Sequence, residues 1–161
     1  MRAVVQRMRS ASVHVADREI ARVARGLAVL VGVGQDDRPE DGERLAAKLL
    51  ALRIFDDDQG KLGRTVLEVG GAVLVVPQFT LYGDVRHGRR PDFARSATAD
   101  VGRRLFDAFC GALRGGGASV SQGAFGADMR VVVEGDGPVT IVMSTDGWPE
   151  GDLGRGGPTA R

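Results

Sequence analysis

Two uninterrupted apolar runs constrain the fold of this chain more than any other feature of its sequence. Residues 27–33 are LAVLVGV and residues 72–76 are AVLVV, and both runs are rich in β-branched side chains. Such runs are typical of strands that are buried inside a domain, whereas a strand with one face in water alternates apolar and polar residues. We therefore expect a central sheet that contains these two strands.

Shorter segments predict the elements around this pair of strands. Apolar or alternating segments predict further strands at residues 3–6, 12–15, 20–23, 54–55, 119–120, 129–133 and 139–143. Residues 78–82 are expected to extend the second run beyond Pro77. Apolar residues at helical spacing predict helices over residues 43–52 and 101–113. Roughly seven or eight strands in mixed order with two helices predict an α+β fold. Because two helices cannot cover both faces of so large a mixed sheet, we expect a curled, barrel-like sheet or a dimer interface to cover the second face.

Residues 1–145 have the length and composition of one domain, and 43% of the whole chain is hydrophobic. Glycine, proline and charged residues dominate residues 146–161, which we expect to be a disordered tail. The N-terminal segment lacks the apolar stretch of a secretory signal, and no run has the ~18–20 apolar residues of a membrane-spanning helix. The single cysteine excludes an intramolecular disulfide and fits a reducing compartment. We therefore expect a cytoplasmic protein that does not contact a membrane.

Familiar cofactor, metal and nucleophile motifs are absent from the sequence. Gly32 and Gly34 follow a strand, but the third glycine of a dinucleotide-binding loop is missing, so we interpret this segment as a turn. His14 and His87 lack paired metal-ligand spacing, and the aspartates lack the spacing of a calcium loop. Cys110 lies in an apolar stretch and is predicted to be a buried small side chain rather than a nucleophile. We therefore expect neither a cofactor nor a metal ion.

Several stretches, in order along the chain, resemble the D-aminoacyl-tRNA deacylase family. They are the N-terminal MRAVVQRMRSASV, LRIF at residues 52–55, QFTLY at 78–82, GRRP at 88–91, FGADM at 125–129 and GPVT at 137–140. The similarity runs from Met1 to about Met143. It implies a homodimeric enzyme that hydrolyses the ester joining a D-amino acid to the ribose of the terminal adenosine of tRNA, and that also clears mischarged glycyl-tRNA. Because this ester is already activated, an oriented water and an oxyanion site suffice without a strong protein nucleophile.

The resemblance also implies residue roles. The backbone N–H groups of Phe79 and Thr80 would face the scissile carbonyl, with the Thr80 hydroxyl close to the ester. Gln78 would hold either the adenosine end or its own strand. Gly137 and Pro138, joined by a cis peptide bond, would come from the other subunit and exclude the side chain of an L-amino acid. The alternative for Thr80 is a strand threonine bonded to backbone.

Contact with tRNA must come from a local basic patch, because 22 basic and 21 acidic residues give the chain a net charge of only +1. Four residues of the loop 83–91 are predicted to bind phosphates, namely Arg86, His87, Arg89 and Arg90. The alternative is a solvated basic loop. Arg2, Arg7 and Arg9 are further candidates, although Arg7 can equally pair with an acidic neighbour.

Two positions depart from the family pattern. Pro77 stands where the family has serine, so a hydroxyl and a backbone N–H are missing there. Gly135 stands where the family has asparagine, so the side-chain amide is missing. These departures leave two alternatives open, a deacylase with altered amino-acid choice and an RNA-binding paralogue that has lost catalysis.

Overall fold

A computed structural model describes residues 1–86 and 89–147, and this part of the chain contains eight strands and two α-helices. In chain order the elements are β1 (Arg2–Val15), β2 (Arg18–Val23), β3 (Gly26–Gly32), α1 (Pro39–Leu50), β4 (Phe55–Asp56), β5 (Leu62–Arg64), β6 (Ala72–Pro77), a 3₁₀-helix (Phe79–Tyr82), α2 (Ala99–Gly115), β7 (Ser119–Gln122) and β8 (Arg130–Ser144). The predicted α+β class is confirmed. His87 and most of the predicted tail, residues 148–161, lie outside the described residues.

Six of the strands form one mixed sheet. β1 pairs antiparallel with β2, β3 and β8, whereas β3, β6 and β7 run parallel to one another. β8 follows β1 along nearly its whole length, so β2 and β3 share the other edge of β1. The remaining strands, β4 and β5, form a separate hairpin. The long, shared β1 curls the sheet into a nearly closed, barrel-like shape, which confirms the predicted architecture.

The two faces of this sheet are buried in different ways. On β3, Leu27, Val29 and Val31 pack toward α1 and α2, in a cluster that includes Leu49 and Phe109. The intervening residues of β3 and β6 point to the opposite face and join a second cluster with residues of β1, β2 and β8, whose members include Met8, Ala28, Leu74 and Val76. The curl of the sheet therefore covers the face that the helices do not reach, and each fully buried side chain of this size contributes about 1.5–3 kcal/mol.

Three segments differ from their sequence-based predictions. Residues 78–82 do not extend β6, because the chain turns after Pro77 into the 3₁₀-helix. Residues 3–6 and 12–15 belong to one continuous strand, β1, and residues 129–133 and 139–143 fall almost entirely within β8. Neither α-helix in residues 1–86 and 89–147 is long and apolar enough to cross a membrane.

Candidate active site

The 3₁₀-helix lies at the carboxyl ends of the parallel strands β3 and β6. The Gln78 N–H donates to the Val31 carbonyl at 2.8 Å, which fixes the start of the turn. A Cβ atom on Gly32 would lie 2.8 Å from the Gln78 carbonyl oxygen, and a Cβ atom on Gly34 would lie 2.7 Å from the Tyr82 ring. The two glycines therefore allow the 3₁₀-helix to pack directly against the end of β3. Gly32 and Gly34, which resemble part of a dinucleotide-binding loop, are thus glycines because this packing leaves no room for a side chain.

Two of the residues predicted to act on the ester, Phe79 and Thr80, belong to this 3₁₀-helix. Phe79 is 57% exposed, and Thr80 is exposed as well. The first N–H groups of any helix lack an acceptor within the helix, and Phe79 and Thr80 are the first two residues of this one. The Gln78 side-chain amide donates to the Thr80 hydroxyl, and the Ser96 hydroxyl donates to the Phe79 carbonyl at 3.2 Å. Thr80 is therefore not a strand threonine bonded to backbone.

The other end of the 3₁₀-helix is buried. Tyr82 is buried, and its hydroxyl donates to a carboxylate oxygen of Asp37 at 3.2 Å. Burial and, to a smaller extent, the carboxylates of Asp37 and Asp146 raise the pKa of Tyr82, so its hydroxyl stays protonated and remains a donor. Neither Asp37 nor Tyr82 is predicted as a site residue from the sequence, because nothing in their spacing shows that they meet.

A pocket of about 380 Å³ opens beside Gln78 and Phe79. Apolar side chains and backbone from the ends of β3 and β6, the start of α2 and the segment between β7 and β8 form its wall; the lining residues are Val31, Val33, Val76, Pro77, Gln78, Phe79, Ala97, Gly102, Phe106, Phe125, Gly126, Ala127, Asp128, Met129 and Val131. Residues of the FGADM segment thus line the same pocket as Gln78 and Phe79 of the QFTLY segment.

Phe125 forms one wall of this pocket and is held from two sides. A Cβ atom on Gly102 would lie 3.1 Å from the Phe125 ring, so the missing side chain lets the ring lie against α2. The Arg103 guanidinium lies 4.9 Å from the ring centroid and donates to the Phe125 carbonyl at 3.1 Å. These contacts fix the position of the Phe125 ring in the pocket wall.

Gly137 and Pro138 lie midway along β8, where the pairing with β1 is irregular. Their peptide bond is cis, as the resemblance implied, and both residues are exposed. The buried side chain of Arg7 contacts this segment. It is 7% exposed, and it donates hydrogen bonds to the carbonyl oxygens of Asp136 at 3.1 Å and Ile54 at 2.9 Å. Arg7 also forms ion pairs with the Asp56 and Asp136 carboxylates. Arg7 therefore pairs with acidic neighbours, the alternative that the sequence left open.

The two groups of predicted site residues are held by two different arginines of one strand. Arg2 contacts the 3₁₀-helix, whereas Arg7 contacts the segment that contains Gly137, and both arginines belong to β1. Five residues of strand span about 17 Å at a rise of ~3.3 Å per residue, so the two arginines start from backbone positions about 17 Å apart.

The basic loop is closed at its base by paired backbone hydrogen bonds between Asp84 and Asp92, at 2.7 and 2.9 Å. The Arg86 guanidinium binds the Asp84 carboxylate, with Nε 2.9 Å from both of its oxygens. Arg89 and Arg90 are exposed, whereas His87 lies outside the described residues. Arg86, which is one of the predicted phosphate ligands, is thus bound to a carboxylate of its own loop.

No group of three or more His, Cys, Asp or Glu side chains in residues 1–86 and 89–147 is placed to hold a metal ion. Cys110 is fully buried on α2, as predicted, and burial raises the pKa of its thiol to about 12. The thiolate is the reactive form, and at pH 8 a thiol with this pKa is ionised in only about one molecule in 10⁴.

Iodoacetamide should therefore leave Cys110 unmodified in the native protein at pH 8. Mass spectrometry should find one added carbamidomethyl group only after unfolding in guanidinium. Stoichiometric labelling of the native protein would show that the thiol is accessible and would contradict its assignment to the core.

The sequence and the fold were compared with those of known proteins. Residues 4–144 match the profile of the D-Tyr-tRNA(Tyr) deacylase family. The chain is 45% identical to the D-aminoacyl-tRNA deacylase of Thermosipho africanus and 52% identical to that of Anaeromyxobacter dehalogenans, in each case over 145 residues that cover 90% of this chain and 97% of the relative.

Two solved structures have similar folds. The first, of the c-Myc DNA Unwinding Element Binding Protein, has a TM-score of 0.86 and 36% sequence identity, and the match covers 90% of this chain and 99% of the other. The second, of a probable eukaryotic D-amino acid tRNA deacylase, has a TM-score of 0.75 and 24% identity, covering 88% and 97% of the two chains. The second likeness concerns the fold alone.

Proposed function

The chain belongs to the D-Tyr-tRNA(Tyr) deacylase family, and from this premise we propose that it hydrolyses D-aminoacyl-tRNA to a free D-amino acid and tRNA. Glycyl-tRNA is a second substrate in this proposal. The observation that supports it most directly is the exposed pair Phe79 and Thr80 at the start of the 3₁₀-helix, with Phe79 lining an adjoining pocket of about 380 Å³. The family match covers both the residues of the pocket and those of the 3₁₀-helix.

The pocket has the size and chemistry to hold the terminal adenosine of tRNA. Ligand pockets in proteins typically have volumes of about 300–1,000 Å³ and apolar, aromatic linings. Phe125 and Phe79 offer ring faces or edges to a purine base, and stacking on aromatic side chains is the usual mode of binding for an unpaired base. The Gln78 side chain lies at the same wall and binds the Thr80 hydroxyl. An adenosine in this pocket would have its ribose ester next to the 3₁₀-helix.

The chemistry at the ester requires few protein groups. The N–H groups of Phe79 and Thr80 stabilise the oxyanion that forms when water attacks the carbonyl, and preorganised donors of this kind are worth about 10²–10³ in rate. The resemblance to this family implies that the substrate's own ribose 2′-hydroxyl helps to activate the water. Cys110, the single cysteine of the sequence, is buried and protonated and takes no part.

A homodimer completes the site in this proposal. Among the described strands β8 pairs with β1 only, and Val132 and Val142 are exposed on it. A long unpaired edge with apolar side chains is typically covered by another chain. The 3₁₀-helix and the Gly137 segment are held by arginines about 17 Å apart along β1, and in this proposal a two-fold axis brings each Gly137–Pro138 pair to the partner's 3₁₀-helix. Sedimentation should show a dimer, and a fully active monomer would rule out this arrangement.

The test of the proposed activity is deacylation of D-tyrosyl-, L-tyrosyl- and glycyl-tRNA, each compared with its spontaneous hydrolysis. We expect the D and glycyl esters to be cleaved and the L ester to be spared. Equal cleavage of the D and L esters would favour a deacylase with altered amino-acid choice. Binding of tRNA without cleavage of any ester would favour an RNA-binding paralogue.

Thr80→Ala should lower kcat by roughly five- to tenfold. The mutation removes one oriented hydroxyl, worth on the order of 1 kcal/mol, and leaves the Thr80 N–H in place. Single-turnover rates on D-tyrosyl-tRNA measure the effect. Thr65→Ala, which removes a hydroxyl that accepts a hydrogen bond from the Glu68 N–H in a distant turn, is the control. A loss of several orders of magnitude, with an acyl-enzyme trapped by acid quench, would instead indicate a threonine nucleophile.

The double substitution Arg89→Ala and Arg90→Ala should raise KM for tRNA more than it lowers kcat. If each arginine neutralises one phosphate, removal of both should reduce the slope of log K against log salt by roughly 1.5. Arg44→Ala with Lys48→Ala removes the same charge from the exposed face of α1 and serves as the control. A double variant of the loop that matches this control across salt concentrations would show that the loop is only solvated.

A further inference from the structure

Arg2 is a buried charge with no part in the chemistry described above. The side chain is only 2% exposed, although arginine is among the residues most often found at the surface. A buried guanidinium is costly unless its donors are paired. Arg2 is therefore not part of a basic surface that binds tRNA, and its contacts must account for its position.

These contacts converge on the 3₁₀-helix. Arg2 Nη1 donates to the Leu81 carbonyl oxygen at 2.9 Å, and its Cζ atom lies 4.3 Å from the centroid of the Tyr82 ring. Nε donates to a carboxylate oxygen of Asp146 at 3.0 Å, which balances the charge. The last carbonyl groups of a helix lack partners within it, so this hydrogen bond caps the end of the 3₁₀-helix.

A second group holds the same end from another direction. Asp37 accepts hydrogen bonds from the Tyr82 hydroxyl at 3.2 Å and from the Gly34 N–H at 2.6 Å. Tyr82 thus has its ring against Arg2 and its hydroxyl on Asp37. Thr80 immediately precedes this fixed end, because the 3₁₀-helix comprises only four residues.

We propose that Arg2 is a positioning residue for hydrolysis. It acts through Leu81 and Tyr82 to set where the N–H groups of Phe79 and Thr80 point. This inference rests on the proposed function, because it assigns those N–H groups to the reacting ester. Donors stabilise an oxyanion only within a narrow range of distances, and a displacement of about 1 Å can lower a rate by about 100-fold. Arg2 does not itself touch the substrate.

The kinetic test compares Arg2→Met, Arg2→Lys and the control Arg44→Met, an exposed arginine on α1. Arg2→Met should lower kcat on D-tyrosyl-tRNA by about 100-fold, while KM for tRNA stays within about threefold. Arg2→Lys keeps the charge and can keep one of the hydrogen bonds, but it loses the planar contact with Tyr82. For this variant kcat is expected to fall by about tenfold. A kcat for Arg2→Met equal to that of Arg44→Met overturns the proposal. A loss of kcat that is fully accounted for by the fraction of unfolded protein, measured by circular dichroism, also overturns it. If Arg2→Met does not fold, the same comparison is made with Arg2→Lys.

A spectroscopic measurement tests the contact itself. Tyr82 is the single tyrosine of the sequence, so 3-fluorotyrosine labelling gives one ¹⁹F resonance at the capped end of the 3₁₀-helix. That resonance should shift or broaden in both Arg2 variants and stay in place in Arg44→Met. An unchanged resonance in Arg2→Met overturns the proposal, as does a shifted resonance with unchanged kcat. If the wild type cleaves none of the esters, the proposed function and the catalytic part of this inference fail together, while an altered resonance still establishes Arg2 as the cap of this helix.

Discussion

Replacing Gly137 with alanine is expected to lower kcat/KM for D-aminoacyl-tRNA by at least about 100-fold. Gly137 has a φ angle of +125°, which L-residues rarely adopt. A Cβ atom there would lie 2.9 Å from both the backbone nitrogen and a methyl carbon of Val139, and 3.2 Å from Nη2 of Arg7. The segment must therefore shift, and with it the backbone that we assign to the amino acid of the substrate bound by the partner subunit.

The matched control is Gly135→Ala in the same strand. A Cβ atom on Gly135 meets nothing within 4 Å, so this variant should retain activity within about twofold. Because Gly137 is exposed, its substitution should cost only about 1–3 kcal/mol of folding free energy and lower the melting temperature by roughly 10 °C or less. Deacylation by folded Gly137→Ala at the rate of Gly135→Ala would refute the assignment of this backbone to the substrate site.

Gly32→Ala should be almost as damaging to turnover, by a different route. The new Cβ atom would lie 2.8 Å from the Gln78 carbonyl oxygen and 3.2 Å from Cβ of Leu81, both in the segment that begins the 3₁₀-helix or forms part of it. Since that segment must move to relieve the contact, we expect kcat to fall by roughly 30- to 100-fold. KM for tRNA should change little, because the three atoms nearest to the new Cβ atom belong to Gln78, Leu81 and Tyr82 and not to the arginines of the basic loop.

Gly111→Ala controls for the general effect of adding a methyl group. Gly111 is exposed on α2, its Cβ atom would meet nothing within 4 Å, and alanine in a helix is more stable than glycine by about 1 kcal/mol. This variant should melt at a slightly higher temperature and keep its activity. Folded Gly32→Ala with wild-type kcat would show that the position of the 3₁₀-helix does not limit the reaction.

The sequence predicts an element correctly where the composition of that element by itself reflects how it is buried. Residues 27–33 and 72–76 are apolar throughout because both faces of β3 and β6 are buried, so their composition suffices. Residues 78–82 were misassigned, because QFTLY suits a strand as well as a turn and a tertiary contact with Gly32 decides between them. β1 was split because Arg7 interrupts its apolar pattern, yet the ion pairs of Arg7 let it lie buried in the strand.

The same distinction applies to the candidate site. Gln78, Phe79, Thr80, Gly137 and Pro138 can be proposed as site residues by resemblance, since each belongs to a short contiguous motif. The burial of Arg2 could not be predicted from the sequence, because its partner Asp146 lies at the other end of the described chain and only the fold brings them together. The pocket wall at Phe125 depends on a similar long-range contact, with Gly102 of α2.

The pairing of β1 with β8 has a consequence for the order of events on the ribosome. β1 is synthesised before every other strand of the described sheet, yet Arg2 pairs with Ser144 and His14 with Arg130. At 5–20 residues per second, roughly 7 to 30 s pass between translation of Arg2 and that of Ser144. For that interval one edge of a 14-residue strand has no native partner in the nascent chain. An unpaired edge of this length can pair with strands of other chains, so the nascent polypeptide is most prone to aggregate in the interval before β8 is synthesised.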